Sequence, residues 1–319
     1  MKNPTVLHHE ILVPESAAGQ RLDKTLAELF PDYSRSRLQE WIQSGQVLVN
    51  DKLARTKDKV MGGEKITIQA TLPEQTTEWV AQKIDLPIVY EDDDILIINK
   101  PVGMVVHPAA GNQSNTMANA LLDYLPQLSQ IPRAGLIHRL DKETSGLLIV
   151  AKTILAQTYL VAELQARNIH REYIAVVNGV LISGGTINEP IARHTKYRQR
   201  RAVSAGGKPA VTHYRIIERF KAHTLLKIIL ETGRTHQIRV HMSHAGYPLV
   251  GDKTYGARPI IPQGASQALI DCIRSFKHQA LHAKRLSFIH PVTKKEMEFQ
   301  APVPEAITTL IEYLKINAE

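Results

Sequence analysis

Short apolar runs of strand length recur through the greater part of the chain: "DILIINKP", ended by Pro101, then "GLLIVAK", "EYIAVVNGVLI", "AVTHYRIIERF" and "TLLKIILE". Many are joined by turns that contain glycine, and few alternate with a long helix. One helical stretch, "ILAQTYLVAELQARN", places Leu155, Tyr159 and Leu164 near one face. A doubly wound parallel sheet needs a helix between successive strands, so this pattern predicts an α+β body with a mainly antiparallel mixed sheet. There is no internal repeat or low-complexity tract.

A chain of 319 residues exceeds one typical domain. Residues 72–85, "LPEQTTEWVAQKID", are polar and weakly periodic, which places a linker there. It separates a body over 86–319 from a small unit over 20–71, preceded by an N-terminal segment over 1–19. Within the small unit, Leu22, Leu26, Leu29 and Phe30 have helical spacing and Pro31 comes directly after them. A second helix is capped by Ser34, carries an apolar stripe of Leu38, Trp41 and Ile42, and ends at Gly45 in a left-handed turn. The strands "QVLVN" and "KITIQ" enclose a basic connection with Lys52, Arg55, Lys57 and Lys59. This unit resembles the S4-type RNA-binding domain. The resemblance implies that Arg35 and Arg37 face RNA; positive charge at a helix start opposes the helix dipole, which argues against a purely solvated role.

The composition, 43% hydrophobic and 22% charged, is that of an ordinary folded chain. Its longest apolar runs fall far short of the roughly 20 residues of a spanning helix. The start, "MKNPTVLHHE", holds no hydrophobic signal core. The expectation is a cytoplasmic protein without membrane attachment. A single cysteine, Cys272, rules out an intrachain disulfide and a cysteine-based zinc cluster. A formal charge of +8 suits a polyanionic partner. Its distribution sharpens this: "RHTKYRQRR" gathers Arg193, Lys196, Arg198, Arg200 and Arg201 with no acid, a pattern of phosphate contact or of a solvated hairpin. With aromatic residues at only 5%, recognition by shape and backbone fits better than stacking on many single-stranded bases, so the RNA is expected to be structured.

Several motifs fail on inspection. "HRLD" carries an inserted Leu140 relative to a kinase catalytic loop and has Gly146 where an asparagine is required. No P-loop is present. His236 and His241 diverge on a helix, and His241 and His244 lack a nearby carboxylate or thiolate, so no metal site is expected.

Between two apolar segments lies a polar island, "AGLIHRLDKETSGLLIVAKT". With "DDDILIINKPVGMVVHP" before it, and "REYIAVVNG" and "LETGRTHQIRVHMSHAGYPLVGD" after it, the island resembles the signature of the RluA-type pseudouridine synthases. With the S4-like start, the resemblance covers nearly the whole chain. It implies isomerisation of uridine to pseudouridine in large-subunit ribosomal RNA, in the stem-loop that reaches the decoding region, on free RNA or an assembling particle, by a monomer. Asp141 stands at the family's essential aspartate. It would act on a flipped nucleotide, either attacking C1' or taking a proton from C2' to give a glycal. By the same resemblance, Arg139 fills the gap left in the RNA and Tyr173 lies against the flipped base. Arg239 pairs with Asp141, for which a planar guanidinium offers two parallel hydrogen bonds. Cleavage and rejoining are redox-neutral, so no cofactor is required. Two alternatives remain: a noncatalytic RNA-binding ribosome-assembly factor, against which the joint presence of Asp141, Tyr173 and Arg239 argues, and a glycosidase releasing free base.

Overall fold

A computed structural model describes residues 5–30, 33, 35–72, 79–108, 112–197, 199–256 and 258–317. The chain divides into two units, Met1–Thr76 and Thr77–Glu319.

In the first unit, alternation along β1 (Thr5–Leu12) turns Leu7, His9 and Ile11 toward the core, with the His9 ring against Phe30. Two helices come next, α1 (Leu22–Leu29) and α2 (Arg35–Gln43), then β2 (Val47–Val49), β3 (Lys52–Leu53) and β4 (Lys65–Leu72). Leu22 and Leu26 are buried one turn apart, opposite Leu38, Trp41 and Ile42; burial of side chains of this size is worth about 1.5–3 kcal/mol each. Gly45 closes α2 with φ 76°, and the Gln46 amide donates to the Trp41 carbonyl at 2.8 Å. Ser34, expected to cap α2, lies outside the described residues.

The sheet order is β1-β4-β2-β3, and β1 pairs with β4 from Thr5↔Leu72 to Leu12↔Lys65. Residues 5–12 therefore belong to the sheet, not to a separate N-terminal segment. The paired histidines interrupt the apolar pattern in the sequence, although one of them faces inward. The expected linker also differs in its second half. Trp79 packs against the core of the larger unit, the Asn119 side-chain amide donates to the Val80 carbonyl at 2.8 Å, and the Gln82 amide donates to the Asn119 carbonyl at 3.0 Å. Backbone bonds to one buried asparagine leave no periodic trace in a sequence.

The second unit contains β5 (Ile88–Glu91), β6 (Ile95–Lys100), α3 (Met117–Tyr124), β7 (Ser145–Ala151), α4 (Ile154–Gln165), β8 (His170–Asn178), β9 (Gly185–Asn188), β10 (Ile191–Arg193) and β11 (Arg201–Val203). Then come β12 (Val211–Arg219), β13 (His223–Leu230), α5 (Gln237–His244), α6 (Gln267–Ser275), β14 (Leu281–Ile289), β15 (Glu296–Gln300) and α7 (Glu305–Ile316). The main sheet runs β5-β6-β7-β14-β8-β13-β12-β9, with β15 beside the second half of β14. Among the described residues β14 pairs with β7 in parallel, and the other ladders are antiparallel. The expected α+β class and mainly antiparallel mixed sheet are therefore observed.

Both faces of the central strands are covered, which explains their continuous apolar runs. Leu96, Ile98, Leu148 and Val150 join α3 and α5 on one face; Ile95, Ile97, Leu147 and Ile149 join α4 on the other. On α4 the buried positions are Ala156 and Leu160, while Leu155 is 79% exposed. Of the expected stripe, Tyr159 and Leu164 pack against this core and Leu155 does not; the helix is apolar on nearly every side, so spacing alone does not fix the edge of the buried face. No helix among the described residues is long and apolar enough to cross a membrane.

Candidate active site

Asp141 lies in the irregular segment that leads into β7, where the Thr144 amide closes a turn on the Asp141 carbonyl at 3.0 Å. Gly146 sets the path of the chain beyond that turn. Its φ is 117°, and a Cβ there would lie 2.3 Å from the Ala283 carbonyl oxygen, so only glycine lets β7 approach β14 behind the aspartate. Beneath the same segment Lys100 is fully buried. Its Nζ donates to the carbonyls of Pro101 at 2.8 Å, Met104 at 3.0 Å and Lys142 at 3.0 Å, tying the residue after Asp141 to the end of β6. Burial pushes this amine down to about 7, against the opposing pull of Asp141 and Glu143. Lys100→Met is expected to remove three hydrogen bonds, taking this donor from the Pro101 and Met104 carbonyls while the Lys142 carbonyl keeps the Gly103 amide at 2.9 Å, and to cost about 2–4 kcal/mol, which lowers Tm by roughly 6–12 °C. A thermal melt within about 2 °C of the parent would contradict this role for Lys100.

The helix α5 begins at Gln237, with His236 at its N-cap in a left-handed conformation, φ 59°. His236 and Arg239 both reach Asp141: His236 Nε2 lies 3.9 Å from Oδ1, and Arg239 Nη1 donates to Oδ2 at 3.1 Å. The sequence places Arg239 in two parallel bonds with Asp141, and the structure corrects this. The paired donors of Arg239 face Asp252, with Nε to Oδ2 at 2.7 Å and Nη2 to Oδ1 at 2.9 Å. Asp141 receives the third edge of the guanidinium. One buried arginine thus joins two carboxylates, and Asp252 Oδ1 also accepts the amides of Thr254 at 2.9 Å and Tyr255 at 3.0 Å. Burial opposes the charge on Arg239, yet Asp252 and Asp141 outweigh it and raise its pKa. Burial likewise opposes the charge on Asp252, but the Arg239 bonds and the backbone amides hold its pKa below the ordinary value.

Tyr255 supports the array from below. The guanidinium carbon of Arg239 is 5.0 Å from its ring centroid, a cation-π contact. Its hydroxyl accepts the Arg201 amide at 2.8 Å and meets His236 Nδ1 at 2.7 Å. When the hydroxyl donates to Nδ1, the imidazole hydrogen sits on Nε2, toward Asp141. Burial lowers the His236 pKa and favours this neutral ring.

Two adjoining cavities of about 770 and 830 Å³ meet at Asp141 and share Val105, His107, Arg139, Leu140, His236 and Arg239. Arg139 is exposed beside the aspartate. Tyr173 is buried on β8 and lines the first cavity; burial raises its pKa, with Arg171 opposing and Asp141 reinforcing. The basic island forms the hairpin β10–β11, with Arg193 opposite Arg201. Its tip lines the second cavity through Lys196, Tyr197 and Arg200, the two cations 5.6 and 5.1 Å from the Tyr197 ring centroid. The island is therefore a hairpin with exposed cations at the rim of the second cavity. Arg198 lies outside the described residues, as do the side chains of Arg35 and Arg37, whose backbone opens α2. Sequence reasoning missed Asp252, Tyr255 and Lys100 as parts of this site.

His241 and the acids at the turn before β6 have local explanations. His241 bonds Thr212 Oγ1 and the Glu189 carbonyl, each at 2.9 Å, through its two ring nitrogens. Asp92, Asp94 and His290 bring ligand-type atoms within 4.8 Å of one another. There Asp92 accepts the Tyr90 hydroxyl and the amides of Asp94 and Ile95, forming the turn before β6.

A carboxylate fixed by a buried arginine at the floor of a cationic cavity is the geometry expected of an enzyme acting on nucleic acid, and comparison with known proteins agrees. The RNA pseudouridylate synthase family matches residues 94–244, and the S4 domain family matches residues 20–66. The chain is 56% identical over 308 residues to the Ribosomal large subunit pseudouridine synthase D of Yersinia pestis, covering 96% of this chain and 94% of that protein. The protein of the same name from Escherichia coli (strain K12) is 55% identical over the same shares. The chain belongs to the RNA pseudouridylate synthase family. Its activity is accordingly that of an RNA pseudouridine isomerase. Among solved structures, Human RNA Pseudouridylate Synthase Domain Containing 4 aligns with a TM-score of 0.56 at 24% identity, covering 72% of this chain and 92% of that one. Human RNA Pseudouridylate Synthase Domain Containing 1 aligns at 0.53 and 24%, covering 72% and 95%. At that identity they support the synthase fold alone.

Proposed function

We propose that this synthase isomerises specific uridines of large-subunit ribosomal RNA, in the stem-loop that reaches the decoding region, with Asp141 as the reacting carboxylate. The observation that carries this reading is Asp141 at the junction of the two cavities, held by an arginine that Asp252 holds in turn. The two relatives above bear the name of a large-subunit enzyme over nearly all of this chain. The target uridine leaves its stack and enters the cavity, and Arg139, exposed at the rim, fills the gap. Asp141 then bonds to C1' or removes the C2' proton while the C1'–N1 bond breaks. Uracil turns and C5 bonds to C1' as the Asp141–C1' bond breaks or, on the glycal route, as C2' regains its proton; the C5 proton is then lost beside Tyr173 as N1 gains one. Arg239 keeps the carboxylate oriented throughout, and Lys196, Arg193, Arg200, Arg201 and Arg198 hold phosphates. The protein acts in the cytoplasm as a monomer, on free RNA or an assembling particle. Incubation with a large-subunit rRNA transcript, then digestion and chromatography, tests the reading. Pseudouridine at discrete sites is the expected product; free uracil would indicate a glycosidase, and unchanged RNA a noncatalytic role.

Arg35 and Arg37 belong in this reading to RNA capture by the first unit. Each unit has its own buried core, so a chain starting at Thr77 is expected to fold alone and to retain the chemistry. Its affinity for structured rRNA should fall at least about tenfold, with a shallower dependence on salt because fewer phosphates are neutralised. Unchanged affinity and site choice after this truncation would remove the functional content of the S4 domain.

A further inference from the structure

Arg171 is 5% exposed on β8 and lines the first cavity together with Asp141; its side chain has no hydrogen bond or ion pair among the described residues. Its Nε is buried without a partner. Strand alternation places it on the same face as Tyr173, two residues on. Nearby carboxylates are already engaged: Glu231 by Arg167 and His213, Glu172 by Lys227, Asp141 by Arg239. Gly233 makes room for it, since a Cβ there would lie 2.8 Å from Arg171 Nη1. A buried, unpaired guanidinium is costly unless an anion arrives during function. Exposed cations at the rim suit phosphates; this one lies deep, beside the tyrosine.

We propose that Arg171 is a catalytic residue that binds the carbonyl edge of the flipped uracil and stabilises the uracil anion formed when its glycosidic bond breaks. The inference rests on the function proposed above. When C1'–N1 breaks, the bonding pair stays with the ring and its charge spreads to O2 and O4. A donor fixed beforehand at that edge binds the departing anion more tightly than the neutral base, which lowers the barrier. When C5 bonds to C1', the new bond takes up that electron pair and neutralises the ring; loss of the C5 proton and gain of one at N1 then restore the planar uracil without further change of charge. Arg171 supplies no proton, and no oxidant or reductant enters.

The test compares full-length parent, Arg171→Gln and Arg171→Lys in single turnover on an rRNA fragment with uridine or 5-fluorouridine at the target, read as loss of the N-glycosidic nucleoside after digestion. Fluorine makes the departing base a more stable anion that needs less help. With uridine, Arg171→Gln should be slower by about a hundredfold, the scale of losing one preorganised donor. With 5-fluorouridine the deficit should shrink to about tenfold, and RNA affinity and its salt slope should match the parent. Arg171→Lys, which keeps the charge, should recover part of the rate and melt near the parent temperature. An equal deficit on both substrates would overturn the proposal in favour of a structural role. Weakened affinity with a salt slope smaller by about one and an unchanged saturated rate would overturn it in favour of a phosphate contact. Failure of the parent to convert uridine would instead refute the proposed function, and this inference with it.

Discussion

Asp141→Asn is expected to slow single-turnover pseudouridine formation by more than about a thousandfold while leaving RNA affinity within about twofold. The amide keeps the shape of the carboxylate but cannot bond to C1' as a nucleophile or take a C2' proton. The fold should tolerate the change, because Arg239 keeps two charge-assisted bonds to Asp252 and is not left as an unpaired buried cation. A melt within about 1 kcal/mol of the parent, measured beside the rate, separates lost chemistry from lost structure. A folded Asn variant with more than a tenth of the parent rate would rule Asp141 out as the reacting group.

The Arg239→Lys variant should lose at least about a hundredfold in rate, and the structure gives this expectation a different basis from two parallel bonds to Asp141. Arg239 uses Nε and Nη2 on Asp252 and Nη1 on Asp141, so three edges of one rigid plane fix the separation of two carboxylates. An ammonium is compact and mobile and cannot hold the bidentate face while reaching the second acid. Stability should fall as well, by about 3 kcal/mol, because Asp252 is buried and loses its matched partner. Asp252→Asn should show the same pattern in a milder form, with the rate lowered and RNA affinity retained. If well-folded Arg239→Lys turns over within about threefold of the parent, orientation by Arg239 is not part of catalysis.

Legibility in the sequence depends on which forces are local. Strands β6, β7, β8 and β13 announce themselves through runs of Ile, Leu and Val, and Gly45 marks a helix end through its own backbone preference. Asp141 is legible only as part of an ordered set of motifs, since a lone aspartate in a turn is ordinary. Asp252 gave no signal of its own, because Gly-Asp before a lysine reads as a surface turn until α5 packs over it. Lys100 reads as the polar end of a strand; the three carbonyls that bind it come from segments as far apart as Met104 and Lys142. The apolar surround of α4 hid that Leu155 faces solvent, and the histidines of β1 hid a strand whose pairing is set by β4. In each case the missing information was tertiary.

The central claim is most directly tested by mapping pseudouridine across large-subunit rRNA from cells with the gene intact, deleted, or replaced by the Asp141→Asn form. Loss of pseudouridine from the stem-loop that reaches the decoding region on deletion, restored by the parent and not by the Asn form, is the expected result. An identical pseudouridine map in all three strains would contradict the account.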